Sequence, residues 1–144
     1  VTLLKRAPDL EEALRPVEKF ALVFAAAAAD VGHPGVGNEY LNRTLDPVAV
    51  AANFRSSGEF GHLSIAFGLV QLPRLDVTTL LNEEDVRAFT DIVSSCVFAT
   101  DAAAHHQLLL EADETFTGGA DFDDAAHRRL LLRLLLRAAD IMAA

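Results

Sequence analysis

A chain of 144 residues is long enough for one domain, or most of one, and at this size roughly two-thirds or more of the unfolded surface can be buried without staples. Half of its residues are hydrophobic (51%), which argues against disorder, and its formal charge of −9 argues against sequence-independent binding of nucleic acid. The same charge would repel a small phosphate ester unless bound cations reversed the local field.

Elements follow from the spacing of apolar residues. Ala7-Pro8-Asp9 opens a short helix through Leu14. Pro16 suits the first turn of the next, where Val17, Phe20, Ala21, Phe24 and Ala28 form a core-facing stripe. Pro34-Gly35 is expected to end that helix. Residues 38–45 form a short helix, and Asp46-Pro47 reads as an N-cap leading a further one to Phe54. Ser56-Ser57-Gly58 is a turn, with a helix from Glu59 to about Leu72 and a loop from Pro73. Asn82 with Asp85 resembles a capping box, and Val86, Phe89, Ile92, Val93, Cys96, Val97 and Thr100 continue at helical spacing, with the helix expected to run on to Glu111. Thr117-Gly118-Gly119 breaks it, and Asp121 or Asp123 caps a last helix that reaches the C-terminus. No strand pattern or repeat is present, so the expected fold is all-α, a compact bundle of roughly six to eight helices.

The single cysteine, Cys96, precludes an intrachain disulfide and fits a reducing compartment. Val1-Thr2-Leu3-Leu4-Lys5-Arg6 places its basic pair after its apolar residues, the wrong order for a signal peptide. The apolar run 20–29 is about half of the ~20 residues a membrane span needs, and the leucines after Arg129 are interrupted by Arg133 and Arg137. A cytoplasmic, soluble chain is expected, and the absence of an initiator Met suggests a piece of a longer one. The leucine face at 130–136 needs a buried neighbour, either the rest of the domain or another subunit.

Chemistry concentrates in Ala29-Asp30-Val31-Gly32-His33-Pro34-Gly35-Val36-Gly37-Asn38, an acid and an imidazole at the mouth of a helix. Glu59 and His62 share a helix face, as do Asp101 and His105, and Asp140 sits near the end of the last helix. Asp30, His33, Glu59, His62 and Asp140, drawn from three helices, could hold one divalent ion and orient its waters. Each also has an ordinary role available: His33 capping a broken helix end, Glu59 answering a helix dipole, His62 half-buried in the core, Asp140 pairing with Arg137, and Asp101 with His105 as a surface pair. His106 and His127 look solvated. Order and spacing together, not any one residue, favour a site.

Four blocks resemble one family. Asp30-x-x-His33-Pro34-Gly35-x-x-Asn38 resembles the signature of class I 3′,5′-cyclic nucleotide phosphodiesterase catalytic domains, usually His-Asp-x-x-His-Pro-Gly-x-x-Asn. Arg55-Ser56-Ser57-Gly58-Glu59-Phe60-Gly61-His62, Thr100-Asp101-x-x-x-His105 and Arg137-Ala138-Ala139-Asp140-Ile141 are similar to three further blocks of that family, in the right order. The resemblance implies an all-α fold of the HD type, here a single partial catalytic domain over residues 1–144, truncated at both ends. It implies two metals, Zn²⁺ and Mg²⁺ or Mn²⁺, sharing a hydroxide that attacks the cyclic phosphate of cAMP or cGMP. By the same resemblance Asp30 and Asp140 would be metal ligands, while His33, Glu59, His62 and Thr100 would orient metal-bound waters.

The departures bear on activity. Ala29 stands where the family has a metal-binding His, Gly61 where it has the first of a His-His pair, and Gly58 and Met142 replace its usual Leu and Ser. The family's upstream His-Asn-x-x-His motif would precede Val1, and its nucleotide-binding Gln and aromatic clamp would follow Asp140. With carboxylates kept and imidazoles lost, Mg²⁺ or Mn²⁺ is expected and zinc binding should be poor. Two functions follow: a cyclic nucleotide hydrolase, impaired, or a catalytically dead helical domain acting in binding or interaction.

Overall fold

The computed structural model describes residues 4–143; Val1-Thr2-Leu3, on which the leader argument partly rests, lie outside the described residues. Eight α-helices and two short 3-10 turns make up the regular structure of those residues, and no strand occurs among them. The helices are α1 (Pro8–Ala13), α2 (Pro16–Ala28), α3 (Asn38–Arg43), α4 (Pro47–Ala51), α5 (Ser57–Val70), α6 (Glu83–Phe98), α7 (His105–Phe116) and α8 (Ala125–Ala143).

Of the expected α2 stripe, Val17, Ala21 and Ala28 are buried, Phe24 is half-buried and Phe20 is exposed; the alanines let the helix lie close along α6. Phe24 meets Phe89 edge-on at 5.1 Å between ring centroids, and Phe20 stacks on the same ring at 5.2 Å. Phe89, Ile92, Val93, Cys96 and Val97 carry α6 into this core, and Leu132 and Leu136 of α8 close it. Leu130 joins a second cluster with Ala99 and Leu108 under α7. Three of the leucines expected to need an outside neighbour are therefore buried within the chain.

Local boundaries differ from the sequence reading at several places: α4 stops at Ala51, short of Phe54, where Asn53 and Phe54 take positive φ, and four further differences bear on the site or the packing. First, α2 ends at Ala28, before Pro34, and residues 29–32 form turns. The turn is set by Gly32, whose φ of +69° lies in the left-handed region that glycine adopts without strain. Second, α5 begins at Ser57, two residues earlier than expected. Third, α6 stops at Phe98 and does not run to Glu111. Asp101 caps a 3-10 turn at Ala102–Ala104 by accepting from the Ala103 N–H at 2.9 Å, and the direction changes there before α7. Fourth, α8 is capped by Asp124, not Asp121 or Asp123: its carboxylate accepts from the N–H groups of Ala126 (2.6 Å) and His127 (3.1 Å). These bonds to the ionised form hold the Asp124 carboxyl below the usual carboxylate range. The expected caps at Asp46 and Asn82 are present, accepting from the N–H of Val48 and Asp85.

One long-range tie was not anticipated. Buried Arg128 of α8 donates from Nε to both oxygens of buried Glu18 on α2 (3.3 and 3.1 Å), and from Nη1 to the carbonyls of Phe122 and Asp123 (2.9 Å each). Glu18 in turn accepts from the N–H of Arg15 at 2.8 Å, so the pair satisfies backbone groups at both ends.

Candidate functional site

The turn after α2 and the first turns of α5 converge. Asp30, His33 and His62 each present one ligand atom within 4.8 Å of the other two, a group that could hold a metal ion. Asp30 and His33 are exposed and His62 is buried, so the group lies at the edge of the core with one open side. The two imidazoles stack at 5.5 Å between centroids.

Hydrogen bonds fix the role of each imidazole nitrogen. His62 Nδ1 lies 2.9 Å from the carbonyl of Val31, which only accepts; Nδ1 therefore carries a proton, and in the neutral ring the lone pair is on Nε2. His33 Nδ1 accepts from the Gly35 N–H at 3.0 Å, so the neutral ring carries its proton on Nε2. One ring thus offers a ligand atom and the other an N–H donor suited to a water or a phosphoryl oxygen. In these tautomers Asp30 and His62 offer lone pairs to a divalent cation, and His33 ligates only in its other tautomer.

Glu59 lies one turn before His62 on α5, and its carboxylate accepts from Asn38 Nδ2 at 2.8 Å. Asn38 Oδ1 accepts from the Gly58 N–H at 2.6 Å. A Cβ at Gly58 would sit 3.1 Å from Asn38 Oδ1 and 3.9 Å from His62 Nε2, so this glycine lets the asparagine approach the helix start. Gly61 faces Val48 of α4, where a Cβ would be 3.1 Å from Cγ2.

Thr100 and Asp140 form a second set. Thr100 Oγ1 donates to Val97 O at 2.7 Å, and Arg137 Nη1 donates to the Thr100 carbonyl (2.6 Å) and the Asp140 carboxylate (2.8 Å). Asp140 lies outside the group made by Asp30, His33 and His62. Asp101 is not half of a surface pair with His105. It is buried, and its second oxygen accepts from Ser56 Oγ at 2.8 Å. Nor is His127 solvated; it is half-buried, edge-on to Phe116, with Nδ1 accepting from the Asp121 N–H.

The pattern that defines 3′5′-cyclic nucleotide phosphodiesterases matches residues 1–144. The chain belongs to the cyclic nucleotide phosphodiesterase family. It is 36% identical over 109 residues to the probable 3′,5′-cyclic-AMP phosphodiesterase pde-4 of Caenorhabditis elegans, covering 76% of this chain and 16% of that protein. It is 31% identical over 141 residues to 3′,5′-cyclic-AMP phosphodiesterase 4C of Rattus norvegicus, covering 93% and 26%. The phosphodiesterase domain of the RhoPDE fusion protein from the choanoflagellate Salpingoeca rosetta superposes with a TM-score of 0.84 at 26% identity, over 89% of this chain and 41% of that one. LmjPDEB1, solved in complex with IBMX, also superposes at 0.84, with 32% identity over 92% and 41%. The chain thus spans about a quarter or less of these curated relatives and about two-fifths of the solved phosphodiesterase chains. No helix among the described residues is long and apolar enough to cross a membrane.

Asn38 and Arg137 stand within the phosphodiesterase-like blocks, where the sequence suggests no role for Asn38 and only a salt bridge for Arg137. The sequence does carry a signal for Asn38: it and Asn42 are spaced i,i+4 and share one helix face.

Proposed function

We propose that this chain supplies a divalent-cation site for the hydrolysis of 3′,5′-cyclic nucleotides, with turnover impaired by its missing imidazoles. The observation that supports this is the grouping of Asp30, His33 and His62 within 4.8 Å. A bound Mg²⁺ or Mn²⁺ would polarise a phosphoryl oxygen and acidify a water. Asp30 offsets its charge, and His62 Nε2 offers a lone pair to it or to its hydration. His33 Nε2–H donates to an oxygen on the open side. Glu59 accepts from water at the start of α5, held by Asn38. Thr100 and Asp140 would act from the α6–α8 side, Asp140 as a second carboxylate once released by Arg137. Half-buried Ala29 precedes Asp30 and offers no donor atom, so the group holds one imidazole fewer than a histidine there would give, which weakens zinc binding.

A second reading, a domain that binds a nucleotide or a partner without turnover, is favoured by one observation: the Asp140 carboxylate is already bound by Arg137 at 2.8 Å. Hydrolysis of cAMP and cGMP with Mg²⁺ or Mn²⁺, measured in the whole protein and in its Ala29→His variant, separates the two. We expect weak hydrolysis that rises in the variant. A protein that binds the metal yet stays inactive in both forms supports the second reading. Stoichiometric zinc by mass spectrometry would contradict the ligand assignment.

A further inference from the structure

The start of α5 lacks the cap its sequence offers. Ser56 precedes it in the left-handed region (φ +44°), and its hydroxyl is turned away to Asp101. The first N–H groups of a helix need acceptors, and a buried orphan is costly. One of them is served from α3: Asn38 Oδ1 takes the Gly58 N–H. One turn on, Asn42 Oδ1 accepts from the Ser57 hydroxyl at 2.6 Å while its Nδ2 donates to Phe54 O at 3.3 Å. Asn42 makes no hydrogen bond to Glu59 among the described residues; Asn38 does, through Nδ2 at 2.8 Å.

We infer that Asn38 is a positioning residue that holds the Glu59 carboxylate, one turn before His62 and outside the group of three, for a cation bound there, coupling the loop that carries Asp30 and His33 to the helix that carries Glu59 and His62. This rests on the cation reading proposed above. Both functions of the Asn38 amide are used at once: its oxygen caps α5 and its nitrogen restrains Glu59 to one rotamer. Asn42 grips the same helix start without touching the acid, so it is a matched structural control.

The test is a double-mutant cycle on Mn²⁺ affinity, by titration calorimetry on the whole protein. Asn38→Ala and Glu59→Ala should each weaken binding by about tenfold, in the range that loss of groups around a metal's ligands produces. The two together should weaken it no more than Glu59→Ala alone, because Asn38 acts through that carboxylate. Asn42→Ala should lower the melting temperature and leave Mn²⁺ affinity within about twofold. Losses that multiply in the double variant, or an equal loss in Asn42→Ala, overturn the assignment and leave Asn38 a mere cap. Absence of Mn²⁺ binding by the wild type overturns the cation reading itself and this role with it. Should Asn38→Ala fail to fold, the Asn38 side-chain amide resonance in ¹⁵N-asparagine-labelled protein decides. It should move on Mg²⁺ addition in the wild type and stay in place in Glu59→Ala; movement in both removes Glu59 as the link.

Discussion

Arg137 Nη1 joins Thr100 and Asp140, donating to the carbonyl of one at 2.6 Å and the carboxylate of the other at 2.8 Å. The guanidinium thus occupies the oxygen that a cation at Asp140 would need. Arg137→Gln should strengthen Mn²⁺ binding by about three- to tenfold, roughly the 1 kcal/mol expected of a removed competing charge, while lowering the melting temperature through loss of the α6–α8 bond. Calorimetric titration of both proteins checks it. Unchanged affinity would mean that Asp140 takes no part in the site.

Gly32 makes a second point of leverage. Its φ is +69°, and a Cβ there would come within 2.5 Å of Ile65 Cδ1 on α5. Gly32→Ala therefore meets backbone strain of about 1–2 kcal/mol, and the Ile65 side chain must swing aside. The turn that sets His33 against Asp30 is the part that yields. The expected outcome is a lower midpoint in urea together with weaker Mn²⁺ binding. Loss of stability with intact metal affinity would show that the turn can relax without moving the two side chains.

These two positions also show how far the chain could be read in advance. The stripe Val17, Ala21, Ala28 and the run Phe89, Ile92, Val93, Cys96, Val97 were legible because burial repeats at the helical period. Asp30 and His33 lie three residues apart in one motif, whereas His62 belongs to a separate block and joins them only through the fold. The end of α2 was misplaced because Pro34 is a strong breaker in any context, whereas Gly32 acts through a left-handed φ that only its packing against Ile65 reveals. The break after Phe98 was hidden because apolar spacing continues through it, while Asp101, which its spacing paired with His105, turns the chain by capping. Asp140 read equally well as ligand or as partner of Arg137; spacing alone cannot choose between charges three residues apart.

Cys96 is fully buried on α6, and burial pushes its thiol up to about 12. The raised value means the thiol stays protonated through neutral pH, and the thiolate, the reactive form, is scarce until well above pH 9. Reaction with a disulfide reagent at pH 8 should therefore be slow in native buffer and fast in urea, with the native rate tracking global unfolding. Rapid native modification would place Cys96 at a surface and contradict the packing of α6.

The Glu18–Arg128 pair tests a different part of the fold, since it spans 110 residues and anchors the α7–α8 loop to the start of α2. Removing one partner leaves a buried charge unpaired, so Glu18→Ala or Arg128→Ala should each cost about 3–5 kcal/mol. Replacing both by apolar residues of similar volume, Glu18→Leu with Arg128→Met, should recover much of that loss, because no charge is then stranded. The recovery will be incomplete: the Phe122 and Asp123 carbonyls and the Arg15 N–H lose their partners in the same step. Chemical denaturation of the four proteins measures this. A double variant as unstable as the sum of the singles would show that the backbone bonds, not the charge pairing, hold the loop in place.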